Sequence, residues 1–427
     1  MYLTVSNLAG YLVRRGHVSL ASVVDGDLHI SQSSRRNRNF VVRRPTGGWF
    51  IKQVASEDPR AAANLRREAA FYRAVDANQR LTTLAPFLPR LIDYDVERST
   101  LVVECVRDAR QFSEVRDGEA GSRIDAAGQI AEALAACHGI DVVGLFDDAA
   151  GGMFRKQIPG VLRHGAGLET PPPHFNAASL SLLQTLRGDS RFTTGFRGLI
   201  DGWRRDTLIH GDLRWENCLF EHVGWAVPTG PQLIAVGTAH STTTTTTRLR
   251  LVDWEEVDLG DAAWDVGGAL QGYLLCDLLA KHGIPFAGPA VDTKAEGGRR
   301  KAESGQGPLA LENQRSEIGG RRSKWGARRE AIRPPTSVLR PPVPTLDSLE
   351  IAAFWQTYVE ARGLDPSAAT QLLERSVACA AGWLVQSAVE RASMTNQLID
   401  CLRDMLDIAR NILAAPARFA RETLRLC

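Results

Sequence analysis

The chain has 427 residues, 44% hydrophobic and 23% charged, with 51 Lys and Arg against 49 Asp and Glu. That length allows more than one domain with a substantial core. The net charge of +2 is unevenly placed: residues 294–340 carry +7, which leaves the remainder at −5 and argues against nucleic-acid binding by the body of the protein. Seven Cys (105, 137, 218, 276, 379, 401, 427) are scattered without a CxxC pair, so a disulfide framework is not expected and a reducing compartment is. MYLTVSNLAGYLVRRGHVSL lacks the apolar core of a signal peptide, and no apolar run reaches membrane-spanning length, so a soluble cytoplasmic protein is expected.

In chain order, VVDGDLHIS reads as a first strand. FVVRR (40–44) and WFIKQ (49–53), β-branched and aromatic runs flanking Pro45-Thr46-Gly47-Gly48, read as a hairpin. Residues 59–77 are Ala-rich with apolar positions at helical spacing, hence a helix. RLIDYD (90–95) and STLVVECV (99–106) read as two further strands. Beyond residue 106 helices dominate: 123–140, SLSLLQTLRG, the apolar run after Gly260, and almost everything from Asp347, with breaks near 364–367 and 393–396. DTLIHGDLRWENCLF (206–220) reads as strand, polar loop and strand, and RLRLVDWEEVDL (248–259) as a strand pair. Residues 221–247, ending in STTTTTT, and 292–344, rich in Arg, Gly, Ser and Pro, break this rhythm and read as disordered insertions. A basic docking arm for an acidic partner is the other reading of the second.

Three patterns carry chemistry. His210-Gly211-Asp212-Leu213-Arg214-Trp215-Glu216-Asn217 puts an Asp and, five residues on, an Asn on one loop between apolar runs. The first can orient the proton of an attacking hydroxyl and the second can ligate a metal. Leu251-Val252-Asp253-Trp254-Glu255 ends an apolar strand in carboxylates, suited to a hard cation such as Mg²⁺ bridging to phosphate oxygens. Lys52, projecting from a strand, can be held by Glu68 on the following helix and aimed at phosphates. Singly each has a plainer reading: loop Asp and Asn form turns, and strand Lys and helix Glu are solvated. Their order along the chain favours the joint reading.

In that order the chain resembles the protein-kinase-like superfamily, and within it the aminoglycoside phosphotransferase and choline kinase group, through HGDxxxxN and Gly260-Asp261-Ala262-Ala263-Trp264-Asp265-Val266-Gly267. The resemblance implies an α+β bilobal fold with a small antiparallel-sheet N-lobe (1–104) and a mainly helical C-lobe (105–427). It implies Asp212 as catalytic base, Asn217 and Asp253 as Mg²⁺ ligands, and Lys52 on the ATP phosphates positioned by Glu68. His210 and Asp265 would brace the catalytic loop, and Glu104–Val106 would offer backbone groups to adenine. Glu255 is a possible second metal contact.

The phosphate-covering loop, Ser31 to Asn39, has no glycine; Ser33 and Ser34 would take that role, with Arg35, Arg36 or Arg38 adding charge. The expected reaction is ATP- and Mg²⁺-dependent phosphorylation of a hydroxyl on a small molecule such as an aminoglycoside, sugar or amino alcohol. The alternatives are a nucleotide-binding pseudokinase or a kinase-like nucleotidyl transferase. Trp355, Tyr358 and Trp383 read either as a cage for a quaternary ammonium or as core.

Overall fold

The computed structural model describes residues 2–33, 37–45, 47–55, 57–116, 118–145, 154–173, 175–223, 246–286, 348–397 and 399–426. Helices α1 (Val5–Arg14) and α2 (Leu20–Val24) open the chain, each begun by a hydroxyl cap, Thr4 and Ser19. Strands β1 (His29–Gln32), β2 (Arg38–Arg44) and β3 (Gly47–Gln53) follow, then α3 (Pro59–Ala77), a 3₁₀ segment Gln79–Phe87, β4 (Leu91–Asp95) and β5 (Thr100–Glu104). The five strands form one antiparallel sheet in the order β1-β2-β3-β5-β4.

Strand alternation sorts this sheet into two faces. Phe40, Val42, Trp49, Ile51 and Val102 pack on one side against Leu3, Leu8, Tyr11, Leu12 and Val18 of the opening helical segment. Opposite-face positions follow the register: Asn39 pairs with Lys52 and Lys52 with Leu101, while Val41 pairs with Phe50 and Phe50 with Val103. α3 lies with this second set, its Leu65, Ala69, Phe71 and Tyr72 joining the main core with Leu101 and Val103.

The helical part comprises β6 (Arg110–Gln111), α4 (Phe112–Val115), α5 (Ala120–His138), α6 (Gly160–Gly165), α7 (Ala177–Gly188), α8 (Ser190–Asp201), β7 (Thr207–Ile209), β8 (Cys218–Val223), β9 (Thr246–Leu251) and β10 (Asp258–Gly260). It ends with α9 (Ala262–Lys281), α10 (Ser348–Arg362), α11 (Pro366–Thr395), α12 (Asp400–Ala414) and α13 (Pro416–Glu422). The fold is α+β and bilobal, an antiparallel sheet with its helix joined to a mainly helical part. Among the described residues, no helix is long and apolar enough to cross a membrane.

Several expectations are corrected. VVDGDLHIS is not one strand: Val23 and Val24 finish α2, a turn through Asp25–Gly26 follows, and the strand starts at His29. The two runs in 248–259 do not pair with each other; β9 pairs with β8, and β10 with β7. Residues 221–223 and 246–247 belong to β8 and β9; residues 224–245 and 292–344, like Ser34–Arg36 of the phosphate-loop reading, lie outside the described residues. Trp355, Tyr358 and Trp383 are core side chains. Trp383 stacks on Trp264 at 4.6 Å and donates to its carbonyl (2.9 Å), and Trp355 stacks on Tyr358.

The loop between β7 and β8 packs on the glycines of α9, Gly268 against Leu213 and Gly272 against Trp215. A Cβ at Gly272 would fall 2.1 Å from the Trp215 indole nitrogen, so only glycine lets that ring come so close to the helix. Gly272→Ala is therefore expected to displace Trp215 and cost about 1–3 kcal/mol, read as a lowered urea midpoint at unchanged m-value.

Candidate active site

Lys52 is almost fully buried at the β3 end of the sheet's second face. Its ammonium donates to Glu68 Oε2 (3.1 Å), to Glu255 Oε2 (2.8 Å) and to Asp253. A lysine has three donors, and all three meet carboxylates. The three acids come from different places: Glu68 from the face of α3 turned to the sheet, Asp253 and Glu255 from the segment after β9. Asp253 stands in the left-handed region (φ 67°, ψ 53°), a conformation Asp tolerates better than branched residues, and a 3₁₀ turn Trp254–Glu256 follows directly. Trp254 fixes that turn: it donates to the Leu251 carbonyl (3.0 Å), stacks on Phe71 of α3 (4.7 Å) and lies against His210 (4.4 Å).

The loop between β7 and β8 is held by its backbone. Asp265, fully buried in the first turn of α9, accepts the N–H groups of His210 (2.6 Å) and Gly211 (3.0 Å), a place where the helix terminus favours a carboxylate. His138 Nε2 lies 3.3 Å from the same carboxylate, and its Nδ1 2.8 Å from the Tyr358 hydroxyl. The Asp212 N–H donates to His210 Nδ1 (3.3 Å), so Nε2 carries the ring proton and donates to the Val252 carbonyl (3.0 Å). Gly211 (φ +80°) is obligatory: a Cβ there would sit 2.2 Å from the Glu256 carbonyl oxygen. His210 and Asp265 thus both hold the backbone of this loop. Asp261 caps α9 by accepting from Ala263 and pairs with Arg375.

Asn217 joins the loop to the acidic segment. Its backbone carbonyl accepts from the Val252 N–H (3.0 Å), the residue before Asp253, and its side-chain amide nitrogen donates to the Asp212 backbone carbonyl (2.8 Å). The Asp212 carboxylate accepts from Arg214 Nε (2.8 Å), and the other end of that guanidinium grips Glu390 of α11 at 2.5 and 2.6 Å. Burial alone would lower the Arg214 pKa, but Asp212 and Glu390 outweigh it and raise it well above the ordinary value. Neither Glu390 nor His138 was marked by sequence. Each is meaningful only through a partner more than a hundred residues away, and the one local hint was a cation two positions after Asp212.

The nucleotide-side expectations are less completely placed. Ser33 donates its N–H to the Asn39 carbonyl (2.8 Å), extending the β1–β2 hairpin, and Ser34 lies outside the described residues. Of the Glu104–Val106 backbone, Glu104 N–H donates to Arg90 (2.8 Å) and Cys105 N–H to Gly48 (3.1 Å), so both already serve the sheet.

Oxygens of Glu68, Asp253 and Glu255 lie within 4.8 Å of one another. Three carboxylates around one ammonium leave a formal surplus of two negative charges, and hard oxygen donors in that number suit a divalent cation such as Mg²⁺. Asp253, with 38% of its side chain exposed, is the most accessible of the three. Burial pushes the Glu68 carboxyl up to about 7, with Asp253 and Glu255 adding to the rise and Lys52 opposing it. Lys52 stays charged: burial lowers its pKa, but the three acids more than offset that.

Residues 30–229 match the family described as phosphotransferase enzyme family. No curated protein matches the chain by sequence. Among solved structures, the choline kinase LicA from Streptococcus pneumoniae is 12% identical (94% of this chain, 99% of that one, TM-score 0.45). The ethanolamine kinase from Plasmodium vivax is 12% identical (94% and 84%, TM-score 0.46), and APH(2″)-IIa in its gentamicin complex is 10% identical (97% and 97%, TM-score 0.46).

Glu68 makes a pH dependence that can be measured. Its folded pKa lies above that of the unfolded chain, so its contribution to stability is fully present below about pH 4.5 and is lost as pH rises through about 7. In the nucleotide-free protein, the urea midpoint is expected to fall across that window in wild type and to fall less in Glu68→Gln. Equal slopes for the two proteins would show that Glu68 does not titrate there.

Proposed function

We propose that this small-molecule kinase of the protein-kinase-like superfamily transfers the γ-phosphoryl group of ATP to a hydroxyl of a small acceptor, with Asp212 as the base. The observation that carries the reading is the convergence on Lys52 of Glu68 from α3 and Asp253 from the segment after β9, beside a loop that Asn217 ties to Val252. Such an assembly has a clear use where triphosphate charge must be held in one orientation.

In this reading Lys52 exchanges a carboxylate partner for phosphate oxygens when nucleotide enters, and Glu68 keeps the ammonium aimed. Asn217, its side-chain amide nitrogen fixed on the Asp212 carbonyl, and Asp253 would hold a divalent cation. Bound Mg²⁺ would supply neutralisation of the phosphate charge. Asp212 orients the acceptor hydroxyl and takes its proton as its oxygen bonds to the γ-phosphorus and the bond from that phosphorus to ADP breaks. Arg214 holds one oxygen of that carboxylate and leaves the other for the acceptor. Positioning and charge supply most of the rate, because phosphoryl transfer asks little covalent work of the protein.

The test is mass analysis of products from wild type and Asp212→Asn, incubated with ATP, Mg²⁺ and a panel of hydroxyl metabolites. Wild type is expected to add one phosphoryl mass to its acceptor. Asp212→Asn is expected to lose about 10²–10⁴-fold in kcat with nucleotide binding retained. An adenylyl gain would assign the chain to nucleotidyl transfer, and unaltered turnover in Asp212→Asn would remove Asp212 from its role.

A further inference from the structure

The Asp212 carboxylate is oriented by a single contact. Among the described residues, its one hydrogen bond comes from Arg214 Nε, at 2.8 Å on Oδ1. The last torsion of an aspartate is broad, so this bond decides which oxygen faces outward. Arg214 is itself a long side chain whose orientation costs conformational entropy to fix. Whatever holds its guanidinium therefore sets the geometry of Asp212.

That hold comes from one stripe of α11. Trp383, Gln386 and Glu390 follow one another at three and four residues, spacings that share a helix face. Glu390 accepts from Nη1 (2.5 Å) and Nη2 (2.6 Å), a two-pronged grip that fixes the plane of the guanidinium as well as its position. Gln386 Nε2 donates to Glu390 Oε1 (3.2 Å). The Trp383 ring centroid lies 5.6 Å from Arg214 Cζ, and the ring is fixed by its stack on Trp264 and its bond to the Trp264 carbonyl. The other carboxylate that Arg214 touches is Asp212. Released by Glu390, the same fork could close on both oxygens of Asp212 and leave none for an acceptor.

We propose that Glu390 is a positioning residue for phosphoryl transfer: by gripping Arg214 it keeps the guanidinium on one oxygen of Asp212 and the other oxygen open to the acceptor hydroxyl. Glu390 acts through Arg214 and needs no contact with substrate. The inference rests on the kinase reading above and gives α11 a part in it, although Glu390 lies 176 residues beyond Arg214 in the chain.

The experiment is a double-mutant cycle of Arg214→Ala and Glu390→Gln, with Glu390→Ala as a second variant. It reads kcat and KM for ADP release from ATP and Mg²⁺, with the acceptor that gains a phosphoryl mass in the panel and with water in its place. In either case the acceptor oxygen bonds to the γ-phosphorus, the bond to ADP breaks, and Asp212 takes the proton. Each Glu390 variant is expected to lose at least about tenfold in kcat, the effect of one hydrogen bond to a charged group. KM for ATP and the dissociation constant of a non-hydrolysable ATP analogue are expected to stay at wild-type values. In the Arg214→Ala protein, adding Glu390→Gln is expected to lower kcat no further, because the link from Glu390 to the base is already gone. Unaltered kcat in both Glu390 variants overturns the inference alone. So does a loss that persists undiminished in Arg214→Ala, which marks direct binding of the acceptor or a general effect on the fold. Wild-type protein that releases no ADP with either acceptor overturns the kinase reading and this one with it.

Discussion

One buried ammonium sets the charge balance around which the two parts of this protein meet. Lys52 comes from the sheet, Glu68 from its helix, and Asp253 and Glu255 from the helical part. Burying Lys52 or Glu68 alone would be costly; paired, and joined by the partly exposed Asp253 and Glu255, they still leave negative charge in surplus. Burial pushes the Glu68 carboxyl up, and its carboxylate neighbours Asp253 and Glu255 add to the rise.

What surrounds this centre is built to keep it from relaxing. Trp254 is wedged between Phe71 and His210, so the turn that carries Asp253 cannot rotate without disturbing α3 and the loop before β8. Asp265 fastens the loop from behind through two backbone N–H groups, and is itself backed by His138 and Tyr358. Arg214 extends the chain of contacts to Glu390 on α11. Polar side chains at these positions are fixed by several partners each, which is what preorganised electrostatics requires.

The sequence was legible where local pattern and final structure obey the same rule. The β-branched and aromatic runs around Pro45-Thr46-Gly47-Gly48 mark the β2–β3 hairpin that carries Lys52, and the Ala-rich helical spacing over 59–77 coincides with α3. It was opaque where meaning depends on distance. α1 and α2 are short, and only the sheet they cover gives their apolar side chains a destination. α8, with two Thr and two Gly in SRFTTGFRGLID, has weak intrinsic helicity and is held by packing of Phe192 and Phe196 and by Asp189, which caps it and binds Arg410 of α12. Glu255 read as an optional metal contact, yet it sits on Lys52 as closely as Glu68 does, because the 3₁₀ turn after Asp253 brings residues two apart to the same ammonium.

The layer formed by α1 and α2 has a practical bearing on how the protein can be divided. A fragment trimmed to residues 30–229, the span of the family match, would discard that layer and strip the cover from Phe40, Val42, Ile51 and Val102. It would also stop short of β9, Asp253 and α9, leaving β8 without a neighbour on one edge and the loop at His210 without its carboxylate anchor. Such a piece would present a bare apolar sheet face and an open strand edge together, the combination that promotes self-association. The smallest working unit of this chain is therefore set by what covers the sheet and what backs the loop, and is wider than the stretch in which its signature words are found.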